Sequence, residues 1–145
     1  MNSSLISTRG ALCEVFTVGN NGNINLCTTL VTDMSELFKD NTSFNANINF
    51  WDTSNVIDMS YIFNRSFSFN QDISKWNISS LENMEGMFLQ ASSFNQYIGN
   101  WNTSTVNNMN YMFREASSFN NDIGNWDVSN VQFMSQMFMG AIQFN

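Results

Sequence analysis

The stretch WDTSNVIDMSYIF, residues 51–63, decides the fold, because close variants of it return three more times along the chain. The four tryptophans stand 25 residues apart, at Trp51, Trp76, Trp101 and Trp126. A fixed period of this length within one chain is typical of a stack of similar units. The fold therefore depends on how one such unit packs on the next.

Most large apolar side chains fall in fixed columns when the chain is aligned on this period. Ten of the 14 phenylalanines and eight of the 10 methionines lie in these columns. One unit has too few apolar residues for a core of its own, so we expect neighbouring units to bury them in a shared core. The most regular columns are Met34, Met59, Met84, Met109 and Met134, then Phe38, Phe63, Phe88, Phe113 and Phe138, and then Phe44, Phe69, Phe94, Phe119 and Phe144.

Each unit carries a signal for a short helix. A serine precedes an apolar run whose members are spaced three and four residues apart, as Ser54 precedes Val56, Met59 and Phe63. Serine in this place is typical of a helix N-cap. The pattern predicts a short helix, or one tight helical turn, over about 55–64 and its copies.

The next part of the unit predicts a short strand. Residues 70–76 show no helical period and have an isoleucine at their centre, Ile73. Such segments favour a strand. One strand per unit, stacked in register, would form a parallel sheet with strands about 4.8 Å apart.

An asparagine column follows the second phenylalanine column. Its amide groups can donate and accept hydrogen bonds, so the column suits a structural ladder at a turn, although a ligand site would use the same groups. We favour the ladder. The column contains Asn45, Asn70, Asn95, Asn120 and Asn145.

The motif V-x-x-M-x-x-M-F-x-x-A-S-S-F-N-x-x-I-x-x-W identifies a family resemblance. Residues 109–126, MNYMFREASSFNNDIGNW, resemble the 25-residue repeat of BspA-like surface proteins, which is similar to leucine-rich repeats. The resemblance implies a right-handed, leucine-rich-repeat-like α/β solenoid with a strand and a short helix in each unit. It also implies a secreted or surface-exposed protein that serves in adhesion or recognition, with no catalytic residues.

At 145 residues the chain is expected to form one domain. Residues 1–30 do not follow the repeat and are predicted to be an irregular N-terminal cap, whereas residues 31–145 form about four and a half units.

Both cysteines, Cys13 and Cys27, lie in the cap, where they form either a disulfide or two free buried thiols. The apolar end at Phe144 suggests that further repeats or a neighbouring subunit cover it.

The composition argues against several functions. Twelve acidic and five basic residues give a net charge of −7, which disfavours nucleic acid and anionic membranes. No segment is long and apolar enough to span a membrane. The chain has no histidine, phosphate-binding loop or metal-ligand spacing, so we expect no enzyme activity, metal or cofactor.

The outward columns suit recognition. They vary from unit to unit while the apolar columns stay the same, which favours contact with a protein or glycan at an extracellular or cell-surface location. The alternative is a structural subunit of a large assembly, at its periphery or in an organelle lumen. The two varying columns are Asn47, Asp72, Tyr97 and Asp122, and Phe50, Lys75, Asn100 and Asn125.

Overall fold

The computed structural model describes residues 31–145, in which 25-residue units lie one upon the next in register. Equivalent residues of successive units form isolated parallel bridges, as Asp58 does with Asp33 and with Asn83. The predicted cap and its two cysteines, Cys13 and Cys27, lie outside the described residues. We number the units 1 to 5, with bounds 31–55, 56–80, 81–105, 106–130 and 131–145.

The predicted secondary structure is wrong. Residues 31–145 contain no helix, and their only β-pairing is the row of isolated bridges. Neither the helix over 55–64 nor the strand over 70–76 is formed. The chain is therefore not an α/β solenoid of the leucine-rich-repeat kind, with a strand and a helix in each unit.

The backbone of the predicted helix is turned toward the next unit. The N–H groups of Tyr61 and Phe63 donate to the carbonyls of Glu85 and Met87, at 2.7 and 3.0 Å. An α-helix would direct each of these groups to the carbonyl four residues earlier. Four such bonds, 2.7–3.0 Å long, occur at each of the four junctions between described units. This ladder takes the donors that a helix would need.

Two successive turns replace the helix. Hydrogen bonds join the first and last residues of 59–62 and of 63–66, at 3.2 and 3.0 Å. The third residue of each turn has a positive φ, 57° at Tyr61 and 61° at Arg65, as in a type II turn. Two turns of this length place apolar residues three and four positions apart on the inside, which is also the spacing of a helix.

The predicted strand is likewise a series of turns. The N–H of Trp76 donates to the carbonyl of Ile73 at 3.1 Å, and that of Ser74 donates to the carboxylate of Asp72 at 2.9 Å. These N–H groups therefore donate to a nearby carbonyl or carboxylate of the same unit and not to an adjacent strand. Ser54 is also not a helix cap, because its N–H and hydroxyl both donate to the carboxylate of Asp52, in another turn of this kind.

The asparagine column links all the described units. The N–H of Asn70 donates to the side-chain oxygen of Asn45 at 2.9 Å, and Asn70 in turn accepts from the N–H of Asn95 at 2.9 Å. The same bond continues to Asn120 at 2.9 Å and to Asn145 at 3.1 Å. Each amide thus satisfies a backbone donor one unit further along the chain.

Stacked aromatic rings form the centre of the core. The ring of Phe63 is 5.7 Å from that of Phe38 and 5.6 Å from that of Phe88, both nearly parallel to it. The second phenylalanine column lies against the first, with Phe69 only 3.8 Å from Phe63 between centroids. Offset stacking of this kind adds to the free energy gained by burying the rings. The shared core that the sequence predicts is therefore present.

Unit 5 exposes the face that each earlier unit buries against its successor. Met134 is 43 % exposed, whereas Met109 in the same column is completely buried. Its backbone edge is also unpaired, because four N–H groups in the ladder register have no acceptor within residues 31–145. They belong to Met134, Gln136, Phe138 and Gly140.

Two substitutions in one column test the stacked core. Phe88→Ala removes a fully buried ring between Phe63 and Phe113, so we expect it to lower the free energy of unfolding by about 3–5 kcal/mol. Phe138→Ala should cost clearly less, because that ring is only partly buried. Urea unfolding of both variants measures the difference. Equal losses would contradict a core that depends on units on both sides.

A second pair of variants tests the turns. Gln90 holds a positive φ of 60°, and its side-chain amide makes only an exposed hydrogen bond, to Glu115 at 2.8 Å. We therefore expect Gln90→Gly to raise the free energy of unfolding by about 0.5 kcal/mol, because the relief of backbone strain exceeds the loss of that bond. Ser93→Gly, at a nearby residue without a positive φ, should lower it by about 0.5–1 kcal/mol. Thermal melts of the two variants beside the unsubstituted protein give the signs. If glycine destabilises both positions, the turn assignment is wrong.

Candidate functional site

The two columns predicted to contact a partner both lie on the surface. All eight side chains are exposed, and units 1 to 4 each contribute one residue to each column. We call these columns the recognition face. They contain Asn47, Asp72, Tyr97 and Asp122, and Phe50, Lys75, Asn100 and Asn125.

Buried residues hold the recognition face in place from behind. An isoleucine and a tryptophan of each of units 1 to 4 alternate with the exposed residues, and Ile73 and Trp76 are both buried. The indole N–H of Trp76 donates to the carbonyl of Ile48 in the preceding unit at 3.0 Å. Trp101 and Trp126 make the same bond, at 3.4 and 3.1 Å, so adjacent units are tied together directly beneath the exposed columns.

Most of the first column also has a structural role. The Oδ1 atom of Asp72 accepts the N–H of Ser74 at 2.9 Å, and that of Asp122 accepts the N–H of Gly124 at 2.8 Å. Asn47 makes the same turn. One oxygen of each side chain therefore shapes the backbone, and the orientation of the side chain toward solvent is fixed.

Two aromatic residues stand out on the recognition face. Phe50 and Tyr97 are each 51 % exposed. Tyr97 lies over Gly99, where an added Cβ would be 3.0 Å from the ring and 2.3 Å from the carbonyl oxygen of Asp122. The absence of a side chain at Gly99 thus allows the ring to lie close to the backbone and the next unit to approach.

The second column has fewer internal contacts. The amide of Asn100 donates to the carbonyl of Ser74 at 3.0 Å, across to the preceding unit. Lys75 forms no ion pair within 4 Å in the described part of the chain. Its positive charge nevertheless lies close enough to Asp72 to help lower the pKa of that carboxyl group.

The sequence did not predict two other groups of polar residues. Beside the recognition face, Asp52 and its counterpart Asp127 accept hydrogen bonds from the serines two residues later. Elsewhere the hydroxyl of Tyr61 donates to Glu85, which also accepts from Asn108 at 3.0 Å. The D/N-x-S pattern in each of units 1 to 4 is a signal for the first group, whereas the second depends on contacts between units.

These contacts shift the ionisation of four side chains. Hydrogen bonds from Ser54 and Ser129 lower the pKa of Asp52 and Asp127, and the backbone N–H of Ser74 is the largest cause of the lowered pKa of Asp72. Burial raises the pKa of Tyr61, and the hydrogen bond to Glu85 adds to this effect. The carboxylates therefore stay charged, and the phenol stays neutral, throughout the physiological range of pH.

The described residues form no cluster of potential metal ligands. Within residues 31–145 no three His, Cys, Asp or Glu side chains converge as a metal site would require. The same residues include no helix that is long and apolar enough to cross a bilayer. A shallow recess lies between units 4 and 5, lined by Asn120, Asp122, Ile123 and Phe144 among others.

The lowered pKa values predict a loss of stability in acid. A carboxyl group whose pKa is depressed by folding stabilises the fold above its unfolded pKa, about 3.9, and loses that contribution as the pH falls through the folded value. As the pH falls from 5 to about 2.5, the urea midpoint of the unsubstituted protein should fall. We expect the midpoint of the double variant Asp52→Asn/Asp127→Asn to fall less. At pH 7 it should match the unsubstituted protein, because Asn77 and Asn102 make the same turn naturally.

The reverse substitution, Asn102→Asp, serves as the matched control. It places a carboxyl group in the same turn and should make the protein more sensitive to acid. Urea midpoints across the pH range decide between the outcomes. Parallel pH profiles for all three proteins would show that these turns make no contribution in acid.

Comparison with known proteins adds one family. No curated protein and no solved structure matches the chain. The sequence model of a family described as "Mycoplasma protein of unknown function, DUF285" matches residues 12–102 and again residues 78–145. This is compatible with the 25-residue repeat found in the sequence, without singling out BspA-like proteins. The two matches take in most of the chain, which therefore belongs to this family of Mycoplasma repeat proteins of unknown function.

Proposed function

We propose that the protein is a non-enzymatic recognition module whose recognition face binds a protein or glycan partner. The observation that carries this proposal is the contrast between fixed and varying columns. The two phenylalanine columns have the same residue in every described unit, whereas the first exposed column reads Asn, Asp, Tyr, Asp and the second reads Phe, Lys, Asn, Asn. A repeat stack with a constant core can change its surface chemistry without changing its geometry.

The structure of the recognition face suits this role. Its backbone is tied across units by the tryptophan N–H bonds, so a partner would meet a surface that is already ordered. Less conformational entropy is then lost on binding. Exposed aromatic rings such as Phe50 and Tyr97 are frequent anchors in protein interfaces.

An extracellular or cell-surface location follows from the same proposal. The motif at residues 109–126 resembles the repeat of BspA-like surface proteins, and the chain belongs to a Mycoplasma repeat family. A non-enzymatic role fits a face without histidine, in which three of four first-column side chains are engaged in turns. Adhesion is the activity that such a repeat solenoid would serve.

Binding of the biotinylated protein to arrays of glycans and of extracellular-matrix proteins tests the proposal. We expect Phe50→Ser/Tyr97→Ser to lower the signal about tenfold or more, because buried aromatic anchors dominate interface energy. The matched control is Ile57→Ser/Phe67→Ser, at residues 43 % and 39 % exposed outside the two columns. Equal behaviour of the two variants, or no binding to any array, would count against the recognition face.

A structural role in a larger assembly is the second candidate. It would use the backbone ladder between units, whose register continues at the outer edge of unit 5. Any segment with the same repeat pattern, from this polypeptide or from another, would pair with this edge. Chemical crosslinking in the native setting, followed by identification of peptides linked to residues 131–145, tests it. Crosslinks confined to the recognition face would refute it.

A further inference from the structure

The charges are divided unevenly around each unit. We call residues 36–45 and their counterparts 61–70, 86–95, 111–120 and 136–145 the balanced arc. The remainder of each described unit is the acidic arc. The balanced arc holds three carboxylates and three basic side chains, and these are Glu36, Asp40 and Glu115 with Lys39, Arg65 and Arg114.

The balanced arc neutralises itself. All three ion pairs in residues 31–145 lie within it. Arg65 pairs with Asp40 of the preceding unit at 2.9 Å, and Arg114 lies 3.4 Å from Glu115. Each of its basic groups therefore has a carboxylate beside it. The balanced arc then produces only a weak electrostatic field to attract a charged partner.

The acidic arc carries the remaining charge. It contains eight carboxylates and one basic residue, Lys75, so the net charge of −7 is concentrated there. The carboxylates are Asp33, Asp52, Asp58, Asp72, Glu82, Glu85, Asp122 and Asp127. Their hydrogen bonds, such as that of Asp122 with the N–H of Gly124, come from neutral groups and leave the charge in place.

The recognition face lies in the acidic arc and combines carboxylates with aromatic rings. Tyr97 stands in the same column as Asp72 and Asp122, with one of them in each adjoining unit. Its exposed ring lies over Gly99. A guanidinium or ammonium group is attracted both by an aromatic face and by a carboxylate.

We propose that the partner of the recognition face is a cationic polypeptide segment, rich in lysine or arginine, that lies along the stack. This inference rests on the proposed recognition function and names its ligand class. Charge complementarity is the first argument, since the net negative field of the acidic arc, in which Lys75 is the one basic residue, raises the rate of encounter with a cationic partner. It also repels sulfated or sialylated glycans, which are anionic.

The spacing of the carboxylates supports a polypeptide. Asp72 and Asp122 are two units apart, which corresponds to about 10 Å for backbones stacked at about 4.8 Å. A peptide in the polyproline II conformation has three residues per turn and advances about 3.1 Å per residue, so basic side chains three residues apart lie on one side, about 9 Å apart, and would reach both carboxylates. The exposed rings of Phe50 and Tyr97 would also contact the apolar stems of lysine and arginine.

Fluorescence anisotropy with a labelled peptide tests the proposal, using lysine at every third position and serine between. The unsubstituted protein should bind this peptide, should not bind the matched glutamate peptide, and should bind more weakly as salt is added. Asp72→Asn/Asp122→Asn/Asp127→Asn should weaken binding about tenfold, because three exposed ion pairs are lost. Asparagine keeps the turn acceptor at each site.

The matched control is Glu36→Gln/Asp40→Asn/Glu115→Gln. It changes the net charge by the same three units on the balanced arc, so we expect less than about a twofold change in affinity. Equal weakening by both triple variants would show that only total charge matters and would overturn the proposal. Failure of the lysine peptide to bind would also overturn it.

The array experiment separates this inference from the recognition function. Binding of neutral or anionic glycans that depends on Phe50 and Tyr97, without binding of the lysine peptide, would refute the cationic partner and leave the recognition face in place. If neither the peptide nor any arrayed ligand depends on the face, both proposals fall.

Discussion

The structure depends on a backbone ladder that runs between units rather than within them. At every described junction, four alternate N–H groups donate to carbonyls of the next unit. Groups in between close turns inside the unit, as the N–H of Ser66 does with Phe63. The direction of each peptide therefore alternates, and positive φ values at residues such as Tyr61 and Arg65 make this alternation possible. The apolar columns then stack because the ladder keeps equivalent residues in register.

Sequence reasoning predicted the core correctly and the secondary structure wrongly, for one physical reason. The burial of Met59 and Phe63 depends only on which residues point inward, and the repeat shows that directly. Two type II turns and one helix give the same three-and-four spacing of inward residues, so periodicity does not distinguish them. A positive φ distinguishes the turns from a helix, but most residues that have one are not glycine, so the sequence does not reveal them. Gly86 is one of the few positions where a glycine marks such a turn.

The candidate site was predictable to a similar degree. The exposure of both columns follows from their positions between buried isoleucines and tryptophans, and all eight residues are exposed. The turn that Asp72 makes with Ser74 was missed, because the same residues were assigned to a strand. The pairing of charges within the balanced arc was also not predicted, since the ion pair of Arg65 with Asp40 joins residues of different units.

The asparagine ladder has a consequence for how such a protein changes over evolutionary time. The side chain of Asn70 accepts from Asn95 in the same way that Asn45 accepts from Asn70, so the three inner joints are chemically interchangeable. Unequal recombination that duplicates or deletes one whole 25-residue segment would recreate the same joint without a new folding problem. The length of the molecule can then vary in steps of about 5 Å, and the reach of its surface varies with it.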